Sequence, residues 1–336
     1  MDVSDPTDRR PEDTVLVVEY GYLDDNPSIF LTGGDLEDLP NDSYYPVATQ
    51  TYNITTEPNI GLDGKQTIVL AASVVGGSSA INGMAFDRGS AEDYDAWVQQ
   101  AGAEHEAKYG EEWGWTNLYP WFKMSSTFYP PSEELAAALN ITYDLAAWGG
   151  NTTLYASYAP FQYAQQQSIL SALKAVPGMA TPKEAADGNA TGVFWFPCTV
   201  NPENRTRSYA RTAHYDDVRD RQNYDLLPAW RVTQLIMSHN STADEWDATG
   251  VLITPRDGDM PEGGPVKIKA KREIIVSAGS IHTPQVLQRS GIGPRDVIEA
   301  ANGTVRVELP GVGSNLQDHM YNMLAYDCKS TLLPPR

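Results

Sequence analysis

Gly76-Gly-Ser-Ser-Ala-Ile-Asn-Gly-Met-Ala-Phe-Asp-Arg-Gly-Ser-Ala-Glu-Asp-Tyr-Asp-Ala-Trp97 is the stretch on which the reading of this chain turns. An apolar run, Thr67 to Val75, leads into two glycines, and two small hydroxyl residues follow them. A backbone that must pass close to a bulky ligand has this composition. No side chain blocks the approach, and amide N–H groups remain free to donate. Asn82-Gly83 then adds a side-chain amide beside a second flexible turn.

Bulk composition narrows the partners. The chain has 336 residues, a length for about two domains. Its 24 basic residues against 44 acidic ones give a formal charge of −20. Such a surface repels phosphate backbones and anionic lipid, so neither nucleic acid nor a membrane surface is an expected partner. No apolar run is long enough to span a bilayer. Met1 to Thr14 is polar and charged and contains no signal peptide. Asn-x-Ser/Thr, however, occurs at Asn41, Asn53, Asn140, Asn151, Asn189, Asn204, Asn240 and Asn302. Eight such sequons point to a secreted glycoprotein lineage, and most should lie on the surface. The expectation is a secretory protein whose leader is absent from these residues. Cys198 and Cys328 leave pairing open.

Thr14 to Glu19 reads as a buried parallel strand that ends in an acid and is followed by Gly21. In a dinucleotide fold, an acid at such a strand end accepts hydrogen bonds from a ribose. An ordinary strand-end carboxylate facing solvent has the same sequence. Glu92 to Ser126 reads as helix, turn, helix, with the aromatics of Trp113 to Lys123 assigned to core packing. Gln165 to Val176 reads as a helix and Trp230 to Met237 as a strand. Glu273-Ile-Ile-Val-Ser-Ala-Gly279 reads as a buried strand ending at Ala278-Gly279, with a helix from about Pro284.

These landmarks together resemble the glucose–methanol–choline (GMC) flavin oxidoreductases. The opening stretch is similar to that family's first signature, Gly-Gly-x-Ser-x-x-Asn-Gly. Residues 273–293 resemble the second, Gly-Ala-x-x-Ser-Pro-x-x-Leu-x-x-Ser-Gly-Ile-Gly, with Ser280 and Thr283 as departures. Arg207-Ser-Tyr-Ala-Arg-Thr-Ala resembles a helix start of the family, and Gly311 to His319 its Val-Gly-x-Asn-Leu-x-Asp-His turn. The resemblance runs over roughly residues 14 to 325. It implies an α/β fold: a Rossmann-like FAD-binding domain with an α+β substrate domain, both incomplete. The implied boundaries are 1–129 and 201–320 for the FAD-binding domain, 130–200 for the substrate domain, and 321–336 for its continuation.

By the same resemblance the cofactor is FAD, held by Glu19, Gly77, Ser78, Asn82, Gly83, the backbone at Ala85, Val232 and Gly279. Ile81 stands where covalent relatives carry a histidine, which implies a non-covalent flavin. Ala71-Ala-Ser replaces an Arg-Gly-Lys element and removes a basic contact. No G-x-G-x-x-G turn occurs in the sequence, and the family's catalytic His/His or His/Asn pair would fall beyond Arg336. The catalytic residues are therefore unassigned, and the 336 residues alone are expected not to oxidise alcohols. His319, beside Asp318, is read as structural. No metal-ligand spacing is present. The implied activity is oxidation of a CH–OH group of a small-molecule alcohol, in fungal secondary metabolism. The alternatives are a non-redox homologue of the versicolorin B synthase type, a non-catalytic remnant, and a nicotinamide-dependent dehydrogenase, against which both signatures argue.

Overall fold

The computed structural model describes residues 13–26, 29, 48–100, 102–159 and 164–318. The chain divides into two compact units, one formed by residues 1–22 and 223–336 and the other by residues 23–222. Its mixture of helix and strand agrees with the α/β expectation. The chain enters on β1 (Val15–Val18), which pairs in parallel with residues 224–227. Parallel pairing requires a long crossover, and here the whole of the second unit is inserted between the two strands. The predicted burial of β1 is only partly realised. Val15 and Leu16 are 48% and 43% exposed. Among the described residues β1 has a partner on one edge only, and so narrow a sheet cannot cover its first half.

The 23–222 unit begins with a short antiparallel pair, β2 (Ile54–Thr55) and β3 (Ile68–Val69), and reaches the glycine-rich loop after Val75. Three helices follow instead of the expected two: α1 (Ala91–Gln100), α2 (Ala103–Trp113) and α3 (Trp115–Met124). Gly102, at a φ of 92°, and the extended Gly114 are the breaks. The Asp95 carboxylate accepts from the Trp115 amide at 2.8 Å, tying the start of α3 back to α1. Aromatic packing is one-sided. Trp115, Tyr119 and Phe122 lie one helical turn apart and form a face, where the Trp115 and Phe122 rings pack on Tyr94 of α1. Trp113 and Trp121 fall off that face and are exposed, so the assignment of the whole segment to the core is corrected.

Next come β4 (Thr127–Tyr129), α4 (Glu133–Leu139) and β5 (Tyr155–Ser157), with β4 and β5 parallel. Ser132 caps α4 by accepting from the Leu135 amide at 3.1 Å. Trp148 stacks on Phe128 at 4.5 Å over a core of Ala147, Ala156 and Ala186. α5 (Ala164–Lys174) matches the predicted helix of 165–176 to within two residues at each end, and α6 (Ala210–His214) closes the unit. A second core cluster of Ile29, Ala72, Val74, Ala80 and Tyr209 sits directly beneath the glycine-rich loop.

On its return the chain forms β6 (Tyr224–Leu227), the partner of β1, and then an antiparallel meander of β7 (Trp230–Asn240), β8 (Glu245–Pro255) and β9 (Val266–Lys269). α7 (Gly279–Arg289) packs on β7, and the buried Ser290 hydroxyl accepts from the Leu235 amide at 2.8 Å. β10 (Ile292–Gly293), α8 (Arg295–Ala300) and β11 (Val307–Glu308) complete the described residues. The strand expected at 273–277 does not form, and Ile275 is 78% exposed. No described strand pairs with it, so the apolar run has no hydrogen-bond ladder; Ile274 and Val276, on either side of Ile275, are half-buried. The helix also starts earlier than predicted. Gly279, at a φ of 84°, turns the chain into α7, leaving Pro284 inside the helix.

Candidate functional site

The glycine-rich loop folds as it does because its glycines meet different demands. Gly76 has a φ of 103°, and a Cβ there would lie 2.7 Å from the Tyr209 ring. Its lack of a side chain lets the backbone lie flat on the buried tyrosine. Gly77, at a φ of 57°, opens a short helical turn, Gly77–Ala80. In front of Gly77 and Gly83 a Cβ would meet nothing within 4 Å. The loop then joins a neighbouring segment at Ala85, which bridges to Cys198, with the Phe86 amide donating to the Pro197 carbonyl at 3.0 Å.

One side of the loop is anchored. Arg207, 7% exposed, donates from Nε to the Ile29 carbonyl at 2.9 Å. Its Nη1 donates to the Ser79 carbonyl at 3.2 Å and to the Asn82 carbonyl and Oδ1, each at 2.8 Å. The Ser79 hydroxyl donates to the Gly76 carbonyl and accepts from the Ala210 amide. Burial pushes the Arg207 guanidinium below its usual range, partly offset by the neighbouring Tyr209. The other side is open: Ser78, Asn82, Gly83 and Ala85 are all exposed. Five of the predicted site residues thus lie in one short stretch of the 23–222 unit.

The remaining three lie in the other unit. Glu19 follows β1, and its Oε1 accepts from the Gly21 amide at 2.6 Å. Its backbone carbonyl accepts from the Trp230 amide at 3.0 Å, which joins the end of β1 to the start of β7, where Val232 pairs with Ile253. Arg231 and Arg256 lie over the Tyr20 ring at 4.9 and 4.7 Å. Gly279 begins α7 with open space before it, and His282, one turn on, is held below the usual histidine range by burial and by Arg231.

The half-buried Glu19 departs from a solvent-facing strand end. Burial raises its carboxyl above the ordinary glutamate range, opposed by the Gly21 hydrogen bond and Arg256. Because the folded-state value lies above the unfolded one, protonation stabilises the fold below the ordinary glutamate range. That contribution is lost as pH rises through the raised value. Glu19→Gln, which cannot ionise, should therefore melt higher than the wild type at neutral pH, with a flatter profile across the acidic window. Thermal melts from about pH 4 to about pH 8 check this. Parallel profiles for the two proteins would contradict it.

Two cavities, of about 260 and 370 Å3, lie in the 23–222 unit, and neither is lined by residues of the glycine-rich loop. Among the described residues no cluster of His, Cys, Asp and Glu could hold a metal ion. No described helix is long and apolar enough to cross a membrane. Burial raises the Cys198 thiol, which disfavours the thiolate. His319 and Cys328 lie outside the described residues. Sequence reasoning missed Arg207 as a site residue. Its only signal was the Arg-Ser-Tyr-Ala run, read as a helix start.

Comparison with known proteins follows the same lines. A family profile described as GMC oxidoreductase matches residues 27–321. The chain is 35% identical over 335 residues to the dehydrogenase xptC of Emericella nidulans, covering 99% of this chain and 49% of that protein. It is 30% identical over 326 residues to the dehydrogenase citC of Monascus ruber, again covering 49% of the relative. Among solved structures, a fungal aryl-alcohol oxidase superposes with a TM-score of 0.79 at 36% identity, covering 90% of this chain and 47% of that one. An FAD-dependent oxidoreductase from Chaetomium thermophilum gives 0.77 at 34% identity, also covering 90% and 47%. The chain spans about half the length of the relatives it matches. With its glycine-rich loop and its profile match in agreement, the chain belongs to the GMC oxidoreductase family.

Proposed function

We propose that this chain forms part of an FAD-dependent oxidoreductase that oxidises a CH–OH group of a small-molecule alcohol and holds its flavin without a covalent bond. One observation carries the reading: the 76–85 loop is rigid on its buried side and bare on its exposed side. Gly77 and Gly83 leave a surface that a side chain would fill, and Ser78 and Asn82 put polar groups along it. These residues fit a flat, acceptor-rich cofactor. In this unit Gly77, Ser78, Asn82, Gly83 and the Ala85 backbone would hold FAD; Glu19, Val232 and Gly279, expected from the family resemblance to bind it too, belong to the other unit. Bound FAD would supply the hydride acceptor. Ile81 offers no nucleophile for a covalent link. The protein's own part is to orient the cofactor from a backbone that Arg207 and Ser79 already anchor.

The similar aryl-alcohol oxidase supports an alcohol substrate; a role in fungal secondary metabolism is proposed from the resemblance of the Asn82-Gly-Met-Ala-Phe-Asp-Arg-Gly89 run to that branch of the family. The net charge of −20 supports a partner set without nucleic acid or membrane. Secretion as a glycoprotein is part of the proposal, because the seven described sequon asparagines, Asn53, Asn140, Asn151, Asn189, Asn204, Asn240 and Asn302, are all exposed. Removing N-glycans from the secreted product should lower its apparent mass in a large step, and unchanged mobility would refute this part.

The functional test compares residues 1–336 alone with the same residues in a protein of the relatives' length. Each is incubated with excess FAD, then challenged anaerobically with aryl, primary and sugar alcohols. FAD binding with bleaching of the flavin by an alcohol is expected in the longer form. Failure to bind FAD in either form would refute the proposal, and binding without bleaching by any alcohol would favour a non-redox homologue.

A further inference from the structure

The polarity of the loop's exposed face can be read atom by atom. Asn82 Oδ1 receives two hydrogen bonds, from Arg207 Nη1 at 2.8 Å and from the Met84 amide at 3.0 Å. Both partners can only donate, so the amide has one possible orientation, with its oxygen inward and its NH2 outward. The Ser78 Oγ accepts from the Ala72 amide at 3.2 Å, leaving its hydroxyl proton to donate. The Gly83 amide donates to nothing among the described residues. The exposed face therefore offers donors from Ser78, Asn82 and Gly83; the Asn82 oxygen is fully committed, and Ser78 keeps one acceptor lone pair beside its proton.

Arg207 itself is unusual. All of its hydrogen bonds go to neutral oxygens, and no described carboxylate lies within ion-pair distance. Arg211, equally buried and four residues on, pairs with both Asp25 and Asp216. A buried cation without a counter-ion is costly unless something else offsets it. Beneath the loop it attracts negative charge brought to the face above.

We propose that Arg207 is a positioning residue that locks the Asn82 amide with its NH2 outward, making this face a receptor for an electron-rich, acceptor-bearing ring edge such as the imide edge of a flavin. This rests on the cofactor reading above and adds a preference to it: the face binds the ring more tightly as the ring gains negative charge.

Asn82→Asp is the decisive variant. Its inner oxygen keeps the Arg207 and Met84 contacts and gives Arg207 an ion pair, while the outward donor becomes an anionic acceptor. The expected result is a thermal midpoint no lower than wild type with FAD binding at least tenfold weaker. A tenfold loss of preference for the reduced flavin would also appear as a midpoint potential about 30 mV lower for two electrons. A purely structural Asn82 would not separate folding from binding in this way. Arg207→Lys, which keeps the charge but loses the fork, should restore part of the wild-type potential that Arg207→Met removes. FAD binding by Asn82→Asp equal to wild type would overturn the proposal.

The cofactor reading is separated by a readout that needs no flavin. The Asn82 side-chain NH2 signal in a 15N spectrum, identified by its loss in Asn82→Asp, should be ordered in the wild type and mobile in Arg207→Met. An ordered signal in a protein that binds no FAD would sink the cofactor reading and keep the positioning role. A mobile signal in the wild type would overturn the positioning role itself.

Discussion

Arg88→Ala should destabilise the 23–222 unit by about 2–6 kcal/mol, counting roughly 1–3 kcal/mol for each of the two carbonyls, Ala147 and Ala186, left without a donor. Arg88 is 5% exposed. Its Nη1 donates to the carbonyls of Ala147 at 2.8 Å and Ala186 at 2.7 Å, and its Nη2 to that of Phe122 at 2.9 Å. The guanidinium also lies 4.5 Å from the centre of the Trp148 ring. One side chain thus ties the end of α3, the 145–147 turn and Ala186 to the irregular segment leading into α1. Burial lowers its pKa, partly offset by the neighbouring Tyr119 and Glu184. A lysine cannot reproduce the fork of donors, so Arg88→Lys should recover less than half of the loss. Urea denaturation followed by tryptophan fluorescence measures both variants. A loss below about 1 kcal/mol for the alanine variant would show that water replaces the guanidinium, contrary to the packing described here.

Gly76→Ala carries the second large effect, through two independent mechanisms. The positive φ costs a residue with a Cβ about 1–2 kcal/mol. The methyl would also press on the Tyr209 ring at 2.7 and 2.8 Å, and Tyr209 is 1% exposed within the Ile29–Val74–Ala80 cluster. Overpacking of that kind adds about 1–3 kcal/mol. The total, about 2–5 kcal/mol, should appear as a lower denaturation midpoint and a poorer soluble yield. Gly77→Ala is the internal control. It shares the positive φ but faces open space, so only the conformational part should remain. Equal losses in the two variants would contradict the separate roles assigned to these neighbouring glycines.

The sequence made the loop legible because its glycines and small hydroxyls are a local pattern, but it could not sort them. Only the position of Tyr209, 133 residues after Gly76, shows that Gly76 serves packing while Gly77 and Gly83 keep a surface bare. Arg88 and Arg207 were hidden for a related reason. Their partners are backbone carbonyls, which have no sequence signature, and lie as far as 178 residues away. The β7 strand and the α5 helix were readable from periodicity over a sufficient length. The apolar run at 273–277 was read as a strand because composition reports a tendency, whereas a strand needs a neighbour, and none is supplied by the described residues. The third helix in the 91–124 segment was missed because Gly102 and Gly114 look alike in sequence to glycines tolerated inside helices.

The exposed face of residues 77–85 is the proposed cofactor surface. The most direct test is FAD titration of Gly83→Leu, followed by flavin fluorescence beside a thermal melt without FAD. Gly83 has no positive φ and nothing within 4 Å of where its Cβ would sit, so a leucine side chain leaves the backbone into open space. The predicted result is an unchanged melting midpoint with FAD binding weakened at least tenfold, about 1.4 kcal/mol. Wild-type affinity in a normally folded Gly83→Leu protein would place the cofactor elsewhere and contradict the account.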